Sequence, residues 1–573
     1  MKKSLITFFL LISLIFGISA QVVNDSQILK ENHWIYDYFE IISLEDKFTS
    51  LDTKPISVGE LKVYLKQIDF DKLSENGKNL YNKIHDFLYT TSYIGKQKLL
   101  NNGIEKDSSS RIALGLKINP ELYFSSNKEI NFNDAYYYKD WPITLPIIFG
   151  ISDYVTLELD AFLGKHYYSS QSTDSITNIP LKANEMEYEF PKNAYGSFGK
   201  HFDDWVFSIT VGKEGFSIGE TQLGSIIYNS TFETDAYSVF SSYSPNFKYN
   251  LIFSQVEYNK FLYLHNFNIK LFPNLRIGLT EGGLRHGPIE LRFFNPTIIL
   301  HNQFPADQYK RDNPTLKSLD LANEYCAYLG VTVDYNPIKN LRLYFLWAQN
   351  EMQGKSELAS GLYGMILPNS YGMQGGIEYV LPLKKEGYFT ANIESLYTSP
   401  YLYLKQSPDW SLIKFRFDKM HQNKDVASWI GSPFGPDTFA FTTKLGYTKP
   451  QHWSANIEYL FTMKGEINSD TLLKTAPKKT DPNGQKYPAY YPSVEYYLGI
   501  LNQDEAIKEA RREGLSGIIQ YKHDISLSGE YWFSNKMQFS TEGTYSLIFN
   551  NEHKIGNFHQ GFGFKLAFTY NFL

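Results

Sequence analysis

From Phe562 to Phe572 every second residue is large and apolar: Phe562, Phe564, Leu566, Phe568, Tyr570 and Phe572. Between them stand Gly563, Lys565, Ala567, Thr569 and Asn571. A period of two puts one face of a β-strand against an apolar medium and leaves the other for small or polar neighbours. A soluble sheet can meet that pattern by packing on a core. Here it runs to the last residues of a chain that is 16% aromatic, with 44 Tyr, 42 Phe and 8 Trp. Alternating segments of about ten residues, edged by aromatic girdles, are the pattern of a transmembrane β-barrel.

The first residues agree with the last. Lys2 and Lys3 precede an apolar run from Leu5 to Ile18, and Ser19 and Ala20 follow. This is the layout of a secretory signal peptide over residues 1–20, with a cut before Gln21. The run is shorter than the ~20 apolar residues that span a bilayer as a helix. No cysteine follows the cut, and the single cysteine, Cys326, has no intramolecular disulfide partner. Mean hydropathy is −0.34, which argues against the helical membrane class. A barrel produces such a value because half its strand residues face lipid and half the lumen. A net charge of −6 over 573 residues speaks against a nucleic-acid partner.

Residues 21–108 read as a small helical domain, periplasmic or filling the barrel mouth. Over Asp25 to Asp46, Leu29, Trp34, Ile35, Tyr38, Phe39 and Ile42 recur at helical spacing, and Ser57 with Glu60 forms a capping box opening a helix over Val58 to Ile68. Leu73, Leu80, Ile84, Phe87 and Leu88 mark a third helix. A charged, Ser-rich linker, Glu105 to Ser110, leads to residues 109–573, a succession of alternating segments. In one of them Trp453, Ala455, Ile457, Tyr459 and Phe461 oppose Ser454, Asn456 and Glu458. The connections alternate too: short at Ser534 to Lys536, Lys449 to His452, Leu383 to Gly387, Asn336 to Asn340, Pro273 to Asn274 and Ser244 to Asn246. They are long at Lys464 to Gly517, Ser399 to Pro436, Glu351 to Ser370 and Arg285 to Asn323. Short periplasmic turns and long outer loops are the barrel rule. The expected fold is an all-β, antiparallel outer-membrane β-barrel of about 18 strands with a small N-terminal α-helical domain.

No zinc-type His pair, phosphate-binding glycine loop or nucleophile elbow occurs, so no catalytic residue, metal ligand or cofactor is assigned. Lumenal carboxylates such as Glu394, Glu458 and Glu542 read as partners of Arg342, Arg276 and Lys565, because unpaired charges are costly where water is scarce. The densest polar stretch is Glu281 to Gln303. It brings together Glu281, Arg285, His286, Glu290, Arg292, Asn295, His301, Asn302 and Gln303 beside Phe293 and Phe294. Multidentate side chains next to aromatic rings suit carbohydrate hydroxyls; an inward-folded constriction and a plain hydrated loop are the competing readings. In the insertion Lys464 to Gly517, lysines and tyrosines (Tyr487, Tyr490, Tyr491) suit an acidic polysaccharide or a simple surface cover.

Two stretches carry a family resemblance: GKEGFSIGETQLGSIIYNS (Gly212 to Ser230) and EGGLRHGPIELRFFNPTIILHN from Glu281. With the helical start, they resemble the capsule assembly protein Wzi family. The resemblance implies an outer-membrane barrel with a periplasmic helical bundle and outer loops closing the pore. It implies a lectin that holds capsular or exopolysaccharide at the cell surface, with outer-membrane lipid and the barrel-assembly machinery as further partners. The Lys464 to Gly517 insertion and the final Leu573 depart from that family. A porin-like diffusion channel is the alternative function, and a barrel enzyme acting on lipid or peptide is a third.

Overall fold

The computed structural model describes residues 23–49, 52–89, 110–127, 141–152, 154–165, 176–187, 193–202, 205–213, 215–232, 236–296, 325–359, 361–384, 386–418, 424–472, 474–477, 486–534 and 536–571. The expected signal peptide and nearly all of the linker lie outside the described residues.

Three helices come first: α1 (Ile35–Asp46), α2 (Val58–Leu65) and α3 (Glu75–Tyr89). The Ser57 side chain caps α2 by accepting from the Glu60 N–H at 3.1 Å. The Glu60 carboxylate turns away, to Lys248 Nζ at 2.5 Å and the Tyr64 hydroxyl at 3.0 Å, so the expected capping box serves as a cap plus a tie to the wall. Helical spacing predicts a start near Asp25, whereas the chain is extended there and Ile28–Leu29 pairs with Ile56–Ser57. The cause is docking: Asn24 Nδ2 donates to the Val155 carbonyl at 2.8 Å, and wall contacts outbid helix propensity.

Eighteen strands follow. They are β1 (Ser110–Leu114, Lys117–Ile118 and Glu121–Ser125), β2 (Ile143–Ile151), β3 (Val155–Lys165), β4 (Ala194–Phe202), β5 (Trp205–Lys213) and β6 (Ala236–Tyr243). Next come β7 (Phe247–Glu257), β8 (Lys260–Phe272), β9 (Leu275–His286), β10 (Tyr325–Tyr335), β11 (Leu341–Glu351) and β12 (Ser370–Pro382). The last are β13 (Tyr388–Thr398), β14 (Thr438–Lys449), β15 (Trp453–Lys464), β16 (Gln520–Ser534), β17 (Met537–Phe549) and β18 (Phe558–Asn571). Each pairs antiparallel with the next, and β18 pairs back on β1 with Lys565 opposite Tyr123. Among the described residues the ring of wall strands closes on itself, as a membrane-spanning sheet requires. Among the described residues no helix is long and apolar enough to cross a membrane.

The alternation in sequence becomes an alternation of faces. On β15, Trp453 and Ile457 are exposed outward while Ser454 is buried, and Glu458 accepts from the Thr442 hydroxyl inside at 3.1 Å. On β18, Phe562 is exposed, whereas Ala567 is buried and Lys565 pairs inward with Glu121 at 3.0 Å. The connections alternate as expected. Tight turns at Pro273–Asn274 and Lys449–Trp453 define one end, and the long connections that leave the wall after His286, Thr398 and Lys464 start from the other.

The helices close the short-turn end. Thr49 N donates to the Pro273 carbonyl at 2.9 Å, Asn340 N to the Leu44 carbonyl at 2.8 Å, and Asn76 Nδ2 to the Leu383 carbonyl at 2.9 Å. Their apolar faces form one cluster with Val380 and Tyr388 of the wall.

Candidate functional site

The lumen is entered from both ends. From the short-turn end comes Asp52–Ser57. From the long-loop end the β5–β6 connection, Gly215–Phe232, folds inward until Ser217–Ile218 pairs antiparallel with Thr53–Lys54. Gly219 N donates to the Asp52 carbonyl at 2.6 Å. The wall meets this loop closely: Tyr328 Oη donates to the Ile227 carbonyl at 2.7 Å, and Gln374 Oε1 accepts from Ile226 N at 3.0 Å. Glu394 accepts from Gln222 N at 2.7 Å and Leu223 N at 3.0 Å. Gly219, at φ 87°, sits where a Cβ would meet the Leu346 side chain at 2.6 Å, so only glycine fits the turn at this approach. Over the loop lie Tyr401–Leu404, Trp429, Ile430 and Tyr491, which join Ile226, Ile227 and Tyr228 in one apolar core. Between the N-terminal segment and β5–β6 a cavity of about 20 Å³ remains, lined by Ile28, Phe216 and Ser208 among others, enough for one water.

Arg342 on β11 joins all three components. It donates to Asp334 of the wall at 2.5 Å, to Glu378 of the wall at 3.1 Å, to Glu40 of α1 at 3.2 Å and to the Glu220 carbonyl of the loop at 2.9 Å. Arg276 bridges Asp334 at 2.5 Å and Asp52 at 3.3 Å, while Lys54 pairs with Glu220. Burial raises the Glu40 carboxyl well above the usual carboxylate range, and the nearby charges of Glu220 and Glu378 push it further. Burial works against the Lys54 charge, yet Glu220 and Glu40 hold its ammonium above the ordinary value. The pairing principle therefore holds, with different partners from those expected. Arg342 and Arg276 meet Asp334, Glu378, Glu40 and Asp52, and Lys565 meets Glu121. Glu394 instead serves the loop backbone and the hydroxyl of Tyr344.

The other half of the lumen is wetter. Along β16 and β17 the inward residues are small hydroxyls and charges, with Ser526 hydrogen-bonded to Thr544 at 2.7 Å and Lys522 paired with Asp524 at 3.0 Å. Most of these side chains on β16 are half-buried.

The polar stretch beginning at Glu281 does not form one cleft. Glu281 and Arg285 lie on the outward face of β9, and His286 ends the strand with its side chain on the opposite face. Glu290 pairs with both Arg285 and Arg292, and Asn295 follows the short turn Leu291–Phe294. His301, Asn302 and Gln303 lie outside the described residues. In the insertion Tyr490 and Tyr491 are buried, packed inward as parts of a cover. Sequence reasoning missed Arg342 as the hub of the lumen and Gly215–Phe232 as the plug. Its one legible sign was a glycine-rich stretch without strand alternation between two clear strands.

No family model matches this sequence, and no curated protein matches it. Among solved structures, Wzi of Escherichia coli resembles it with a TM-score of 0.52 and 11% identity, over 94% of this chain and 98% of that one. That protein is described as an outer-membrane protein involved in group 1 capsule assembly and a carbohydrate-binding β-barrel. Pseudomonas aeruginosa OprD has a TM-score of 0.37 at 9% identity, over 80% of this chain and 94% of that one. The outer-membrane channel DcaP of Acinetobacter baumannii has a TM-score of 0.32 at 8% identity, over 82% and 99%. The likeness to Wzi is one of fold, and the fold is a closed, 18-stranded antiparallel barrel of the outer-membrane type.

Proposed function

We propose that this chain is an outer-membrane barrel that binds and retains capsular or exopolysaccharide at the cell surface and does not pass solutes. The short-turn end faces the periplasm with its helices, and the long loops face outward. Residues 1–20 direct export, and the barrel-assembly machinery inserts the rest. The observation that carries the reading is the meeting of Gly215–Phe232 with Thr53–Lys54 inside the ring. An open diffusion pore needs a clear lumen, whereas a surface-anchored binding platform needs only a rigid barrel. The glycan contacts proposed are His286, Asn295, His301, Asn302 and Gln303; of the others expected in this stretch, Glu281 is buried, and Arg285, Glu290 and Arg292 pair with one another.

The wetter half of the lumen along β16 and β17 favours the second reading, a porin-like diffusion channel. Planar-bilayer recording of the purified protein separates the two. Near-zero conductance, with a null mutant that exports glycan but sheds it into the medium, supports retention. A large, stable open-channel conductance with unchanged surface glycan in the null mutant supports the channel.

A further inference from the structure

On β8 and β9, His265, Glu281 and Arg285 stand on the side of the wall where lipid is expected. On β9, Arg276, Thr280 and Leu284 face the lumen, as their partners Asp52, Asn266 and the inner core show. Alternation therefore sends Ile277, Leu279, Glu281 and Arg285 outward. Glu281 stands opposite His265 of β8 in register. The His265 ring is hydrogen-bonded to Tyr249 Oη at 2.8 Å and to the Phe293 carbonyl at 2.9 Å. Both His265 and Glu281 are buried although they point away from the lumen.

The cover is the start of the β9–β10 connection, which turns down over the outside of the barrel. Phe293 stacks on Tyr325 with centroids 5.2 Å apart, and Phe294 meets Tyr263 edge-on at 5.4 Å. Glu290 N donates to Tyr263 Oη at 3.1 Å. A strand tilted about 40° advances roughly 2.6 Å per residue along the barrel axis. Glu281 then lies ~10 Å above lipid-facing Ile277 and ~16 Å above Leu275, inside an apolar band ~25 Å tall. At that depth a carboxylate facing acyl chains is destabilising. The segment Gly287–Asn295 removes it from them, and on its own far side it presents Ile289 and Leu291, 52% and 80% exposed.

We propose that Gly287–Asn295 is a membrane-embedded strap, with Ile289 and Leu291 in contact with the acyl chains of the outer leaflet. The inference rests on the outer-membrane reading and continues its lipid-facing surface across β8 to β10. The strap lets the wall hold His265 and Glu281 at lipid depth, and it anchors the outer loop that follows at the membrane surface.

The test uses the full-length protein in phospholipid vesicles, with nitroxide labels at Leu291→Cys, Ile277→Cys and Ile555→Cys in turn. Cys326 is fully buried and stays in place, with the unsubstituted protein as labelling control. Collision of each label with oxygen, which partitions into lipid, is compared with collision with a water-soluble nickel chelate. Ile277 lies on the wall, and Ile555, 82% exposed, tips a loop. The oxygen preference at position 291 is expected to match position 277 and to exceed position 555 several-fold. A lipid-like 277 with a water-like 291 overturns the strap alone. A water-like 277 overturns the membrane reading itself.

Discussion

Replacing Arg342 by Met keeps the volume of the side chain and removes the charge that ties wall, helix and loop together. The guanidinium serves Asp334, Glu378, Glu40 and the Glu220 carbonyl, and it is among the largest fully buried side chains. Removing one partner of a buried ionic network costs about 3–5 kcal/mol, because the remaining charges stay desolvated. Asp334 keeps Arg276 at 2.5 Å, and Glu40, already held above the usual carboxylate range by burial, can take up a proton. Both effects place the cost near the lower end, about 3 kcal/mol, or roughly a 150-fold shift in the equilibrium between docked and undocked plug. Lys522→Met is the matched control. Its partner Asp524 lies 3.0 Å away in the wetter half of the lumen, with Lys522 one-third exposed, where such a pair is worth at most about 1 kcal/mol. In planar bilayers the Arg342→Met protein should show channel openings that wild type and Lys522→Met lack. Its first urea transition should also fall. If Arg342→Met matches Lys522→Met in both measurements, the hub does not hold the plug and the reasoning fails.

Ile457→Arg places a charge on the outer face of β15, where it costs roughly 2–4 kcal/mol at the bilayer midplane. Asn456→Arg points inward, so heat-modifiable gel migration should show lost assembly only for the first; equal effects would mean the register is off by one residue. His33, packed between Trp34 and Phe87 with ring centroids at 5.4 and 5.0 Å, has its pKa lowered to about 3 by burial and then by the charge of Lys30. A lowered base pKa means stability present above about 6.5 and lost as pH falls towards 3. Wild type should therefore become more protease-sensitive in its helical segment between pH 6.5 and 5, and His33→Phe should not. Glu40 titrates in the opposite sense, its contribution fading as pH rises, but it is common to both proteins and cancels. The strap predicts lipid-like oxygen accessibility at position 291.

The strands were legible from the order of residues alone, because a strand exposes its faces alternately and each face of a barrel meets a different solvent. Phe562 to Tyr570 and Trp453 to Phe461 needed no partner to declare their inner and outer sides. Turn lengths likewise gave the two ends, since connections such as Pro273–Asn274 are local. The helices α2 and α3 were readable from a cap and a 3.6-residue period, while residues 25–34 were not, because their conformation is imposed by Asn24 and Ser26 docking on the wall. What fills the ring could only be decided in three dimensions. The pairing of Ser217–Ile218 with Thr53–Lys54 spans more than 160 residues of sequence, and neither segment has a period that announces its mate. The same holds for charge: composition says that a crowded lumen must pair its ions, but only the register of β9, β10, β11 and β12 decides that Asp334 lies between Arg276 and Arg342. Glu281 shows the limit most clearly. Its sequence neighbours suggested a polar cleft, yet alternation along β9 turns it outward, beside its register partner His265, whose ring is hydrogen-bonded to the Phe293 carbonyl of the covering segment.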